Sequence, residues 1–231
     1  MRILIVAATE AEVGSLKSEV RSRSQESRVR NQDVENTTQD SGLKTFDYEI
    51  LITSVGMVAT AFALGKHLAT HQYDLVINLG ICGSFDRSIA IGDVLEITED
   101  TFSELGAEDD GEFLSIEQMG FGEATFHPTK KLADLYNLFN TFNLQQATAI
   151  TVNTVHGNEE SINKVARRLN AQLESMEGAA FFYACKQMNV PCLQIRAVSN
   201  YVEKRNRDNW QIGLAIKNLN TFAVEFLKLY A

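Results

Sequence analysis

Short apolar runs, each about the length of one buried strand, recur along this 231-residue chain and alternate with stretches of helical periodicity. Arg2–Ala8 is nearly continuous in Ile, Leu, Val and Ala, then breaks at Thr9 and Glu10. A run apolar at both parities suits a strand covered on both faces, as in a parallel sheet. Thr9 offers an N-cap oxygen to a helix with Glu10 and Glu12 in its first turn and Val13, Leu16 and Val20 on one face. Further strands are expected at Tyr48–Ser54, Tyr73–Leu79, Asp93–Thr98, Gln146–Val152, Gln172–Ser175 and Cys192–Ser199. Helices are expected at Met57–Ala69, through Val58, Ala61, Phe62, Gly65 and Leu68, and at Thr129–Phe142, Glu159–Leu169, Glu177–Met188 and Asn209–Leu229. Gly80-Ile81-Cys82-Gly83 is expected to stop its strand in a tight turn. The polar stretch Ser22–Gly42 reads as a solvated loop or hairpin, and the Gly-, Asp- and Glu-rich segment Phe102–Phe126 as loop.

Strands alternating with helices predict a three-layer α/β/α sandwich around a central mixed, mostly parallel sheet, in one domain spanning residues 1–231. With 21 basic against 30 acidic side chains the net charge is −9, which leaves no electrostatic footprint for nucleic acid or anionic lipid. No apolar run reaches the roughly 20 residues of a membrane span. Ile3–Ala8 lacks the longer apolar core and cleavage site of a secretory signal, so a cytoplasmic location is expected. Cys82, Cys185 and Cys192 form no CxxC, and His67, His71, His127 and His156 have no ligand spacing, so neither a disulfide framework nor a metal site is expected.

In such sheets ligands sit at the carboxyl ends of strands. That singles out Glu12, Gly56, Gly80–Gly83, Asn153–Gly157, Met176-Glu177 and Ser199-Asn200. The glycines are either a plain turn or a place where a flat ligand approaches the backbone, and they match neither GxGxxG nor GxxxxGK. Glu177 opens a helix, where a carboxylate serves as a dipole cap or accepts two sugar hydroxyls. Glu12 is either a solvated dipole partner or, if buried beside water, a general base. Asn200 is either a turn residue or an amide complementary to a purine edge.

Taken together, ATEAEV, SVGMVATA, NLGICGS, TVNTVHGN, ESMEGAAFFYAC and RAVSNYVEKRNRDNW resemble, in that order, the purine nucleoside phosphorylase superfamily. Within it the pattern is most similar to the hydrolytic branch: the methylthioadenosine/S-adenosylhomocysteine nucleosidases and, above all, the futalosine hydrolases of menaquinone biosynthesis. The resemblance implies that Glu12 activates the attacking water, Glu177 holds the ribose hydroxyls, and Met176 lies against the ribose face. Val155 and the neighbouring backbone sandwich the base opposite Ile81, Cys82 and Gly83, and His156 is a separate candidate for the lining of the base pocket. Thr9 and Val55 line the sugar and its 5′ substituent. It also implies a small-molecule nucleoside substrate, no cofactor, and a homo-oligomer of two or more copies.

Asn200 stands where adenosine-specific nucleosidases carry an aspartate. A 6-oxopurine presents an O6 acceptor that repels a carboxylate, whereas an amide donates to O6 and accepts from N7–H. Phosphorylases of the superfamily bring arginines to phosphate, and neither ATEAEVG nor NLGICGS supplies one, so hydrolysis is expected. Futalosine carries a 5′ carboxylate, for which Arg205 and Arg207 are candidate partners or else solvated loop residues. The alternatives are a methylthioadenosine/S-adenosylhomocysteine or inosine-type nucleosidase and a catalytically silent nucleoside-binding protein. Retention of both Glu12 and Glu177 argues against the silent binder.

Overall fold

The computed structural model describes residues 1–16, 47–129 and 142–229. The polar stretch Ser22–Gly42 and the body of the helix expected at Thr129–Phe142 lie outside the described residues. The first strand, β1 (Arg2–Ala7), is buried along almost its whole length. Its Leu4 and Val6 join one core with Phe181 and Phe182, while Ile3, Ile5 and Ala7 join a second core with Leu219 and Phe222. Both parities are apolar because both faces are covered.

After β1 a short 3-10 turn, Glu10–Val13, replaces the start of the expected α-helix. There follow β2 (Asp47–Ile52), α1 (Met57–Leu68), β3 (Leu75–Ser84) and β4 (Val94–Phe102). The segment expected as loop holds a hairpin, β5 (Gly106–Asp109) with β6 (Glu112–Ser115), and a short β7 (Thr125–Phe126) paired to β4. The chain continues through β8 (Gln145–Thr151), α2 (Glu159–Arg168), β9 (Leu173–Ser175), α3 (Gly178–Gln187), β10 (Cys192–Tyr201) and α4 (Ile212–Lys228).

The main sheet is mixed. β1 pairs in parallel with β2 and β3, β10 with β3, β4 with β8, and β8 with β9. β10 and β4 run antiparallel, as do β3 and β9. Because β3 pairs with both β10 and β9, the strands β3, β10, β4, β8 and β9 close into a ring, with β1 and β2 extending from it.

Three expectations are corrected. The glycines do not end β3, which runs on to Ser84. A Cβ at Gly80 would overlap the Arg196 guanidinium, and one at Gly83 would lie 2.9 Å from Val202 Cγ2, so these glycines serve close approach between neighbouring strands. Asn200 lies inside β10, which reaches Tyr201 through a bulge at Ser199, and is not a turn residue. In α1 the buried side is Thr60, Leu64 and Leu68, while Val58 and Phe62 are 77% and 71% exposed, so part of the expected apolar face points outward.

Candidate active site

The ends of β1, β3, β9 and β10, the start of α3 and the loop after β8 converge on a cavity of about 310 Å³. Glu12, Asn200, Glu177, Met176, Val155 and His156 line it, as do Ile81, Cys82, Gly83, Thr9 and Val55. Residues separated by nearly the whole chain thus share one pocket. Arg205 and Arg207 do not line it. Both are exposed, Arg207 in a 3-10 turn and Arg205 with its guanidinium over the Trp210 ring at 4.8 Å. Trp210 is itself in the wall, so Arg205 reaches the cavity only through it.

Glu12 is 6% exposed and held by its own turn. Its Oε2 accepts from Thr9 N at 2.8 Å and Thr9 Oγ1 at 3.0 Å. This is a capping box, which Thr9 and a glutamate three residues on were suited to make. Oε1 accepts only a longer bond from Ile81 N at 3.3 Å and is the freer oxygen. Asn220 Nδ2 of α4 donates to the Glu12 carbonyl at 3.0 Å, tying the turn to the terminal helix.

Glu177 is the N-cap residue of α3 and 7% exposed. Its Oε1 accepts from Gly56 N at 3.0 Å, and its Oε2 from Met176 N at 3.3 Å. Gly56, at φ +100°, is the N-cap of α1, so this carboxylate links the starts of two helices. Both orient it towards the cavity without any side-chain donor.

Asn200 is held differently. Its Nδ2 donates to Tyr201 O at 3.0 Å, and its Oδ1 lies 2.8 Å from Ser199 Oγ. Turning the amide over would set carbonyl against carbonyl at Tyr201, so this bond sets the orientation. One N–H and one lone pair are left. Ser199 Oγ is also 3.1 Å from Cys82 O, and its single proton serves one of the two acceptors.

His156 and Glu174 form a further pair in the wall. The imidazole Nδ1 is in short contact with Glu174 Oε2, and His156 N donates to Oε1 at 2.9 Å. The hydrogen bond between the ring and Glu174, more than any other influence, raises the His156 pKa above the usual histidine value, against the opposing effect of burial. Behind α3, sealed from the cavity, Asp100 accepts from Thr151 Oγ1 at 2.8 Å and Gln194 Nε2 at 2.9 Å. Burial pushes its carboxyl up to about 6, and a Cβ at Gly178 would overlap it, so α3 can start here only with glycine. Burial likewise pushes the Cys82 thiol up to about 12, which makes it an inert part of the wall.

Sequence reasoning gave no role to Glu174, and marked Ser199 only by its place at a strand end. The signal for Glu174 was an acidic residue inside the strand expected at Gln172–Ser175, a strand that the structure buries along all of Leu173–Ser175.

The sequence profile of the phosphorylase superfamily matches residues 2–229. The chain belongs to this superfamily. Among curated members, a futalosine hydrolase of Streptomyces coelicolor is 33% identical over 178 residues, covering 74% of this chain and 75% of that protein. A futalosine hydrolase of Thermus thermophilus is 28% identical over 180 residues, with 77% and 80% coverage. A 5′-methylthioadenosine/S-adenosylhomocysteine nucleosidase of Colwellia psychrerythraea is 26% identical over 231 residues, with 96% and 92% coverage. The crystal structure of a 5′-methylthioadenosine/S-adenosylhomocysteine nucleosidase of the same organism, in complex with adenine, superposes at a TM-score of 0.75 with 24% identity, covering 99% of this chain and 95% of that one. That superposition establishes the superfamily fold.

Proposed function

We propose that this N-glycosyl hydrolase cleaves the ribosidic bond of a 6-oxopurine nucleoside, and that futalosine is its substrate, giving hypoxanthine and dehypoxanthine futalosine. The observation that carries the reading is the Asn200 amide. Its free N–H and free lone pair fit O6 and N7–H, and it opens into the cavity that holds Glu12 and Glu177. The futalosine hydrolases among the relatives support the choice of substrate.

On this reading the C1′–N9 bond loosens towards an oxocarbenium-like sugar while N7, which bears no proton in the nucleoside, takes one from solvent; Asn200 then accepts from N7–H and donates to O6, and hypoxanthine leaves neutral. The freer oxygen of Glu12 takes a proton from water as it attacks C1′. Glu177 accepts the ribose hydroxyls and favours the cationic transition state. Hydrolysis is supported by the lining: among the described residues it holds Glu12, Glu174 and Glu177 and no lysine or arginine, a costly place for a phosphate dianion. The outward Val58 and Phe62 of α1, near Val55 of the wall, support a second copy packing beside the 5′ end of the cavity.

The test is base release from futalosine, methylthioadenosine and inosine, with and without phosphate. Hypoxanthine should leave futalosine fastest, at a rate indifferent to phosphate. Faster adenine release from methylthioadenosine would favour the second reading, which the Colwellia relative supports. A rate proportional to phosphate would overturn hydrolysis.

A further inference from the structure

Glu174 is 4% exposed, and the mechanism above does not use it. It lies in register with Gly83 on one side of β3, while Asn200 lies in register with the same Gly83 on the other side. The row Asn200–Gly83–Glu174 therefore crosses three strands with a bare glycine at its centre, and all three residues line the cavity. Strands sit about 4.8 Å apart, so the two side chains rise from backbones about 10 Å apart. That leaves room for a flat bicyclic base laid over Gly83, with a polar side chain at each edge.

The two ends ask for opposite partners. Asn200 offers a donor to a 6-substituent and an acceptor to N7–H. Glu174 offers only acceptors: each oxygen carries one bond from His156 and keeps a lone pair. A 6-oxopurine carries its donor, N1–H, beside O6. A 6-aminopurine presents a bare N1 lone pair there, which a carboxylate repels.

Building on the 6-oxopurine reading of the cavity, we propose that Glu174 is a second specificity-determining residue. It accepts N1–H of the base while Asn200 reads the opposite edge, and His156 is the positioning residue that holds the carboxylate at that edge. Discrimination against 6-aminopurines is then made twice, at sites on different strands.

Free bases test this without dependence on the 5′ group. Hypoxanthine and adenine are titrated calorimetrically into the wild type and into Glu174→Gln, with circular dichroism to confirm folding. A glutamine can turn its amide to either base, so the ratio of adenine to hypoxanthine Kd should fall about tenfold or more in the variant. A wild type that prefers adenine would overturn the 6-oxopurine reading itself. A wild type that prefers hypoxanthine, with the ratio unchanged in the variant, would overturn only the role of Glu174. NMR of [1-15N]hypoxanthine on the wild type decides the matter if the variant does not fold. On binding, the N1 proton should move downfield and exchange more slowly, and an N1 proton that keeps its free shift and exchange rate overturns the proposal. His156→Gln should lower the same ratio less than Glu174→Gln, and a drop as large or larger would deny His156 a mere positioning role.

Discussion

The two ends of the cavity are built by different means. At the sugar end, Glu12 and Glu177 are held largely by backbone: Thr9 N and Ile81 N for one, Gly56 N and Met176 N for the other. At the base end each group takes half of its hold from a side chain: Asn200 from the Ser199 hydroxyl beside Tyr201 O, and Glu174 from the His156 ring beside His156 N. Backbone donors are present whatever the side chain, so the reacting end is set once the chain has folded. Side-chain partners change with a single substitution, so the base end is where specificity can be retuned without rebuilding the fold.

Substitutions that act on one end only put this contrast at risk. The largest effect is expected from Glu12→Gln, which keeps the shape of the side chain but removes the base. The rate constant kcat should fall by about 10³-fold while hypoxanthine binds nearly as in the wild type. Near-normal turnover would remove Glu12 from the mechanism. Asn200→Asp should act on the other end, lowering the ratio of kcat/KM for inosine over adenosine by about 10²-fold as the carboxylate repels O6 and accepts from a 6-amino group. An unchanged ratio would mean that the amide does not read the base.

A smaller effect is expected from Ser199→Ala, which removes one restraint on the Asn200 amide. The same ratio should slip by roughly three- to tenfold, the worth of one hydrogen bond, with kcat for the preferred nucleoside little changed. The smallest effect is on stability. The Glu174 hydrogen bond raises the folded-state pKa of His156 above its unfolded value, with Glu104 and Arg168 the other charged groups acting on the ring. Its contribution is therefore complete below about pH 6.5 and fades as pH rises through the raised value. The Tm difference between wild type and His156→Gln should be a few degrees at pH 6 and smaller at pH 8.5, and a pH-independent difference would show that the ring is not protonated in the pair.

Much of this was legible in the sequence, and the failures share a cause. The strands β1, β3 and β10 could be read because burial on both faces writes a continuous apolar run, and the strand-end rule then pointed to Glu12, Glu177 and Asn200. The β5–β6 hairpin was missed because its strands are short and largely exposed and carry no alternation to read. Val58 and Phe62 were read only as part of one apolar helical face, because periodicity shows that a face is apolar, not what covers it. Gly80 and Gly83 were read as a turn because a glycine that admits a neighbour's side chain looks the same in sequence as one that bends the chain.

By itself, then, the amino-acid order determined the alternation of elements, the strand ends that carry chemistry, and the superfamily to which those ends belong. Only the tertiary structure decided that β3 passes between β9 and β10, which brings Glu174 and Asn200 into one row across Gly83. It also set Arg205 outside the wall and turned part of α1 outward. The physical reason is range. Propensity and periodicity act over a few neighbouring residues, whereas register between strands far apart in the chain is settled by the packing of the whole sheet.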